Sequence, residues 1–244
     1  MRKTIIAIAA CIVVLLLGFT GYRGYKVWKQ SHWLTMARGY AAKADTRNEM
    51  LCLQQVLRLN PRNLEACRMM AGLADAVHSP GALLWRERVV DLDAASLTDR
   101  LALAQTAISF NNFVVASNAL AEVDATGKNT ASYHNAAGVL AIGLGQNEVA
   151  QNEFAEALRL DSANPVYQMN LAVVQLHGSN QLDLAEARIS LKRLTLNSTN
   201  AVVRHQATQE LVFDALRNKD FKTATNLAQE LAKETNAPFS DHLL

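Results

Sequence analysis

A step of 33 to 34 residues runs through this 244-residue chain, and it limits the possible folds more than any other feature. Three segments align: LQQVLRLNPRN (53–63), RERVVDLDAAS (86–96) and FAEALRLDSAN (154–164). Each ends an apolar stretch with Leu followed by Asn or Asp, and Pro61, Ala94 and Ser162 hold equivalent places. The first step is 33 residues and the second is 68, twice 34, so one further unit is expected to end near Lys128. Within the units apolar residues recur at three and four, as in Leu101, Ala104 and Ile108, which is the spacing of a packed helix and not of a strand. Breakers fall between these stretches, at Asn60-Pro61, Ser79-Pro80-Gly81, Thr126-Gly127, Gly178-Ser179-Asn180 and Asn197-Ser198. A unit of this length holds two helices. It cannot bury its own apolar face, so neighbouring units must stack.

Small residues sit where two helices of a unit must approach closely: Ala104, Gly138 and Ala172. Larger ones, such as Leu120 and Phe154, fill the gap to the next unit. The first unit carries Trp33, Met36, Ala37 and Tyr40, then Leu53, Val56 and Pro61. The fourth carries Gly138, Ala141, Gly145, Ala150, Phe154, Ala157 and Leu160. Over residues 31–233 this pattern resembles the tetratricopeptide repeat family, whose first helix reads Trp-x2-Leu-Gly-x2-Tyr and whose second ends on Pro. His134 departs from it at the tryptophan position, and the fifth and sixth units diverge most. The resemblance implies an all-α, right-handed α-solenoid of about six helix-turn-helix repeats. It also implies a groove, lined by the first helices, that holds a protein or peptide partner. Low Gly (11) and Pro (4) counts in a chain that is 50% hydrophobic fit an all-helical reading.

Residues 1–30 read differently. Thr4 to Tyr22, TIIAIAACIVVLLLGFTGY, is uncharged, and as a helix it spans roughly 28 Å, close to a bilayer core. Tyr22, Tyr25 and Trp28 then alternate with Arg23, Lys26 and Lys29, as at a membrane interface. A single-pass anchor touching lipid through residues 4–22 is the expectation, with the side of the soluble array left open because the flanking charges nearly tie. A cleaved signal peptide would need a small-x-small site that Leu17 to Gly21 supplies poorly. Ile8-Ala9-Ala10-Cys11 imitates a lipobox, but the strongest apolar run would then follow the modified cysteine. Residues 1–44 hold seven basic residues and no acidic one, whereas the remainder carries 17 Lys and Arg against 22 Asp and Glu. The repeat body is therefore mildly acidic, which argues against nucleic acid. Residues 234–244 read as an incomplete or frayed end, with Pro238, Ser240 and Asp241 resembling a helix start.

No catalytic constellation emerges. The six histidines form neither HExxH nor HxxxH, and none neighbours a cysteine at metal-ligand spacing. There is no phosphate-binding Gly-rich loop and no GxSxG, so no enzyme, cofactor, metal or small-molecule substrate is expected. Cys11, Cys52 and Cys67 give no disulfide framework. The candidate surface is the groove face of the first helices: Arg38, Arg68, Asp75, Gln105, Asn135, Val139, Met169, Val173 and Leu176. The leading expectation is a membrane-anchored scaffold binding protein partners. A periplasmic assembly or quality-control accessory and the docking part of a larger enzyme are its rivals.

Overall fold

The computed structural model describes the backbone of residues 2–233 and the side chains of residue 18 and of 20–232. Among these every regular element is an α-helix, in the order α1 (Arg2–Ala41), α2 (Thr46–Leu59), α3 (Leu64–Ala76), α4 (Ala82–Leu92), α5 (Leu97–Ser109), α6 (Phe113–Ala121), α7 (Ala125–Lys128), α8 (Ala131–Gly143), α9 (Asn147–Leu160), α10 (Pro165–Leu176), α11 (Gln181–Asn197), α12 (Ala201–Arg217) and α13 (Phe221–Lys233). They fall into two compact units, one up to Asp99 and one from Arg100 onward.

The repeated turn has a simple chemical basis. Asn60, Asp93 and Asp161 each end a second helix in nearly the same conformation, with φ of −143°, −141° and −141°. Three residues later stand Asn63, Ser96 and Asn164, whose side-chain oxygens accept from backbone N–H groups of the following helix: Ala66 at 2.8 Å, Asp99 at 3.3 Å and Val166 at 3.1 Å. Each such cap satisfies a donor that the helix start would otherwise leave orphaned. The motif aligned from the sequence is therefore a C-cap followed by an N-cap.

A second period lies in the backbone alone. Ala44 (φ 54°), His78 (46°), Asn111 (56°) and Gly145 (72°) are left-handed, and each falls in the turn between the first and second helix of a repeat. Only one of them is a glycine, so the periodicity is invisible as a composition signal. A left-handed residue here lets the following N–H close on a carbonyl of the helix just ended, as Asp45 does on Tyr40 and Gln146 on Ala141. Lys219 (φ 61°) does the same between α12 and α13. The Gly178-Ser179-Asn180 loop contains no positive φ.

In the first unit α1 packs on α2 and α3 on α4. Leu34, Ala37, Leu53, Val56 and Cys52 form one core, flanked by Trp33, Met36 and Tyr40. Cys67, Ala71 and Val89 form another with Trp85. Cys52 and Cys67 are free and buried, and burial pushes both thiols up. The buried Glu49 occupies the place where later repeats carry Ala82, Ala116 and Ala150, and burial raises its carboxyl above the ordinary range.

In the second unit α8 packs on α9, α9 on α10, and α10, α11, α12 and α13 follow in sequence. Met169, Ala172, Leu176, Ala187, Leu191, Val203, Ala207 and Leu211 form its main core. The small residues marked from the sequence are buried: Ala104 and Ala172, with Gly138 among them. A Cβ at Gly138 would lie 2.5 Å from the ring of Phe154, so the ring takes the space a side chain would use.

Residue 30, where the sequence suggests a division between anchor and array, falls inside α1. The same helix carries Trp33, Ala37 and Tyr40 of the first repeat, because no Pro or turn-forming cluster interrupts it before Ala41. Among the described residues no helix is long and apolar enough to cross a membrane. The side chains of the run expected to contact lipid, residues 4–22, lie for the most part outside the described residues, as does the segment 234–244.

A candidate protein-binding cleft

The nine residues expected to face a groove behave in four ways. The three charged ones, in the first unit, are engaged in ion pairs. Arg38 on α1 grips Glu65 on α3 through two bonds of 2.7 and 2.8 Å. Arg68 on α3 spans Asp93 (2.9 Å) and Asp99 (3.0 Å). Asp75 accepts from Arg86 on α4 at 2.8 Å. Burial alone would raise the Asp99 carboxyl, but its bonds with Arg68 and Ser96 outweigh this and hold it below the usual range. These side chains clasp segments 11 to 31 residues apart in sequence.

Met169 and Leu176 do not face a groove. They are 3% and 2% exposed and belong to the core against α11 and α12. The sequence reading placed Met169, Val173 and Leu176 on one outward stripe. The inward stripe is instead Met169, Ala172 and Leu176, and the side toward the cleft carries Asn170, Val173 and His177. One residue of register is a rotation of about 100°, enough to move a stripe from solvent to core. Gln105 is exposed on α5.

Val139 and Val173 line a cleft in the second unit, and Asn135 is bonded to Asn170 of its wall. Its volume is about 430 Å³, within the range of ligand-holding pockets. Ile108, Phe113, Val139, Ile142, Phe154 and Val173 supply apolar wall, and Asn111, Asn147, Asn170 and His177 supply polar groups. Helix-to-helix approach at the glycines shapes it: Gly138 abuts Phe154, and Gly143 abuts Phe113. At its floor Asn170 is 1% exposed. Its amide nitrogen donates to Asn135 Oδ1 at 2.7 Å, and its own Oδ1 has no hydrogen-bond partner. A buried carbonyl oxygen left unpaired is unfavourable. At the rim, His177 Nδ1 lies 3.0 Å from Arg217, and Nε2 lies 3.6 Å from Glu210.

Asn111, Asn147, Asn170 and His177 were not singled out as groove residues from the sequence. Asn135 and Asn170 stand 35 residues apart, close to the repeat step, and that spacing was the available signal. Among the described residues no group of three or more His, Cys, Asp and Glu could hold a metal ion.

Stacked antiparallel helix pairs with a 34-residue step, small residues at the close approaches and a cap-to-cap turn define a helical-repeat protein. The particular fold is that of the tetratricopeptide-repeat proteins. The chain is similar to PilW, a type IV pilus biogenesis factor, at 14% identity over 87% of this chain and 95% of that one, with a TM-score of 0.67. It is similar to PilF of Pseudomonas aeruginosa at 14% identity over the same shares, 87% and 95%, with a TM-score of 0.62. A thermophilic TPR protein of Thermus thermophilus aligns at 18% identity over 75% of this chain and 99% of its own, with a TM-score of 0.60. No protein-family model and no curated protein matches the sequence.

Proposed function

We propose that this protein is an interaction scaffold that seats an apolar side chain of a partner protein in the cleft lined by α5, α6, α8, α9 and α10. The carrying observation is the combination of an apolar-walled opening with one buried asparagine oxygen that lacks a partner. Apolar walls supply the driving force, and a few fixed polar groups orient what enters. A Leu- or Phe-sized side chain fits the volume.

The reading is tested by selecting peptides that bind the full chain and measuring their affinity for the variants Val173→Glu and Ile142→Glu. Both residues line the cleft and neither is fully buried, so the fold should survive. Binding weakened at least ~10-fold by each, with unchanged circular dichroism, is the expected result. Equal affinity for both variants would remove the cleft from the account.

The scaffold is tethered by the N-terminal part of α1. Supporting this are the uncharged run from Thr4 to Tyr22 and the exposure of Tyr22, Tyr25, Val27 and Trp28 just beyond it. Lys26 and Lys29 lie 5.8 and 5.5 Å from the rings of Tyr22 and Tyr25, an arrangement suited to a headgroup layer. After expression of the full chain, it should stay with membranes through an alkaline carbonate wash. Replacing Ile12, Val14 and Leu16 together by Asp should release it. Quantitative release of the unaltered chain would contradict the tether.

A further inference from the structure

Helix α11 carries two apolar stripes on opposite sides. Ala187, Leu191 and Leu194 face inward and are buried in the core. Leu182, Ile189 and Leu196 face outward and are 75%, 67% and 80% exposed. The outward three are spaced by seven residues, so they lie in one line along the exposed side of the helix. On one flank of this stripe stand Glu186 and Arg193, and on the other Ala185 and Lys192. All four are exposed. Arg193 touches Gln168 only at 3.4 Å, so its charge is free to serve elsewhere.

We propose that α11 is a homodimer seam, in which a second copy of this chain packs its own α11 antiparallel across Ile189. The charges select both the partner and the direction. A two-fold axis through Ile189 brings Leu182 opposite Leu196 of the second copy, and Leu196 opposite its Leu182. In this antiparallel arrangement equal flanks meet. Glu186 then faces Arg193 of the second copy, and by symmetry the pair forms twice. A parallel arrangement joins opposite flanks and sets Arg193 beside Lys192 of the other copy, two like charges at one level. The stripe is thus complementary to itself when reversed and repulsive when aligned, which an isologous contact requires. One 17-residue helix offers less than the ~800 Å² per partner of a standard interface, so the dimer is weak and concentration-dependent.

Sedimentation equilibrium of the full chain, in a detergent matched to the solvent density, tests the seam. The weight-average mass should rise from one copy toward two with concentration. Ile189→Glu should hold the protein at one copy over the same range. Glu186→Arg and Arg193→Glu should each weaken association at least ~10-fold. The double variant Glu186→Arg/Arg193→Glu should recover it, because the pairing is restored with its polarity reversed. Circular dichroism of each variant should match the unaltered protein, since these side chains lie on the exposed face. A single-copy mass at all concentrations overturns the seam. So does a dimer that survives Ile189→Glu, which would place the contact on another face. A double variant no better than its singles overturns the antiparallel pairing.

Discussion

Phe154→Ala should cost about 3–5 kcal/mol of stability, the range for removing a buried aromatic side chain. Phe154 is 2% exposed, and its ring occupies the place of the side chain missing from Gly138 on the facing helix. Truncation therefore opens a void between α8 and α9 that neither helix can fill. The midpoint of thermal unfolding should fall by roughly 10 °C, at about 2–4 °C per kcal/mol for a domain of this size. Gly138→Ala alone should also destabilise, because its Cβ would sit 2.5 Å from the ring atoms. In the double variant the new methyl enters the space the ring has left, so the two effects should be strongly non-additive. Thermal melts of the four proteins complete the cycle. Additive losses would show that the glycine and the ring do not share that space. Phe154 also lines the cleft, so the single variant should lose partner binding along with stability.

Asp214→Ala has the next largest expected effect, about 2 kcal/mol, as the loss of a charge-assisted bidentate pair with one partner largely buried. Asp214 on α12 accepts from Arg188 on α11 at 2.7 and 3.1 Å, and from Asn218 at 3.0 Å. Burial alone would raise its carboxyl, but the Arg188 bonds and charge win and hold it below the ordinary carboxylate range. A depressed folded value means that the unfolded chain binds the proton first. The stabilisation is therefore complete above the unfolded value, about pH 4, and is lost as pH falls through the depressed folded value. Melts of the unaltered and variant proteins should differ fully at pH 7 and converge in strong acid. A gap that stays constant from pH 7 to pH 2 would mean that charge is not what Asp214 contributes. Because Arg188 lies between the buried Ala187 and the outward Ile189, the same pair also steadies the helix that carries the outer stripe.

What could be read from the chain alone was whatever local chemistry dictates. The 34-residue step follows from residues that act on their immediate neighbours: Asn60, Asp93 and Asp161 ending helices, and Asn63, Ser96 and Asn164 starting the next. Gly138 was legible as a close approach because a missing side chain has few other uses inside a helix. Tertiary structure decided what depends on helix rotation and on distant partners. On α10, Val173 lines the cleft while Met169 and Leu176 enter the core, and the difference is the rotation of that helix. The polar residues of α10, Gln168, Asn170 and Gln175, fall on two sides of the helix and do not fix that register in advance, so packing against α11 and α12 sets it. Arg38, Arg68 and Asp75 read as groove-face positions until the fold supplied Glu65, Asp93, Asp99 and Arg86 as partners. The left-handed turns at Ala44, His78 and Asn111 were hidden because a sequence marks such a position plainly only where glycine occupies it.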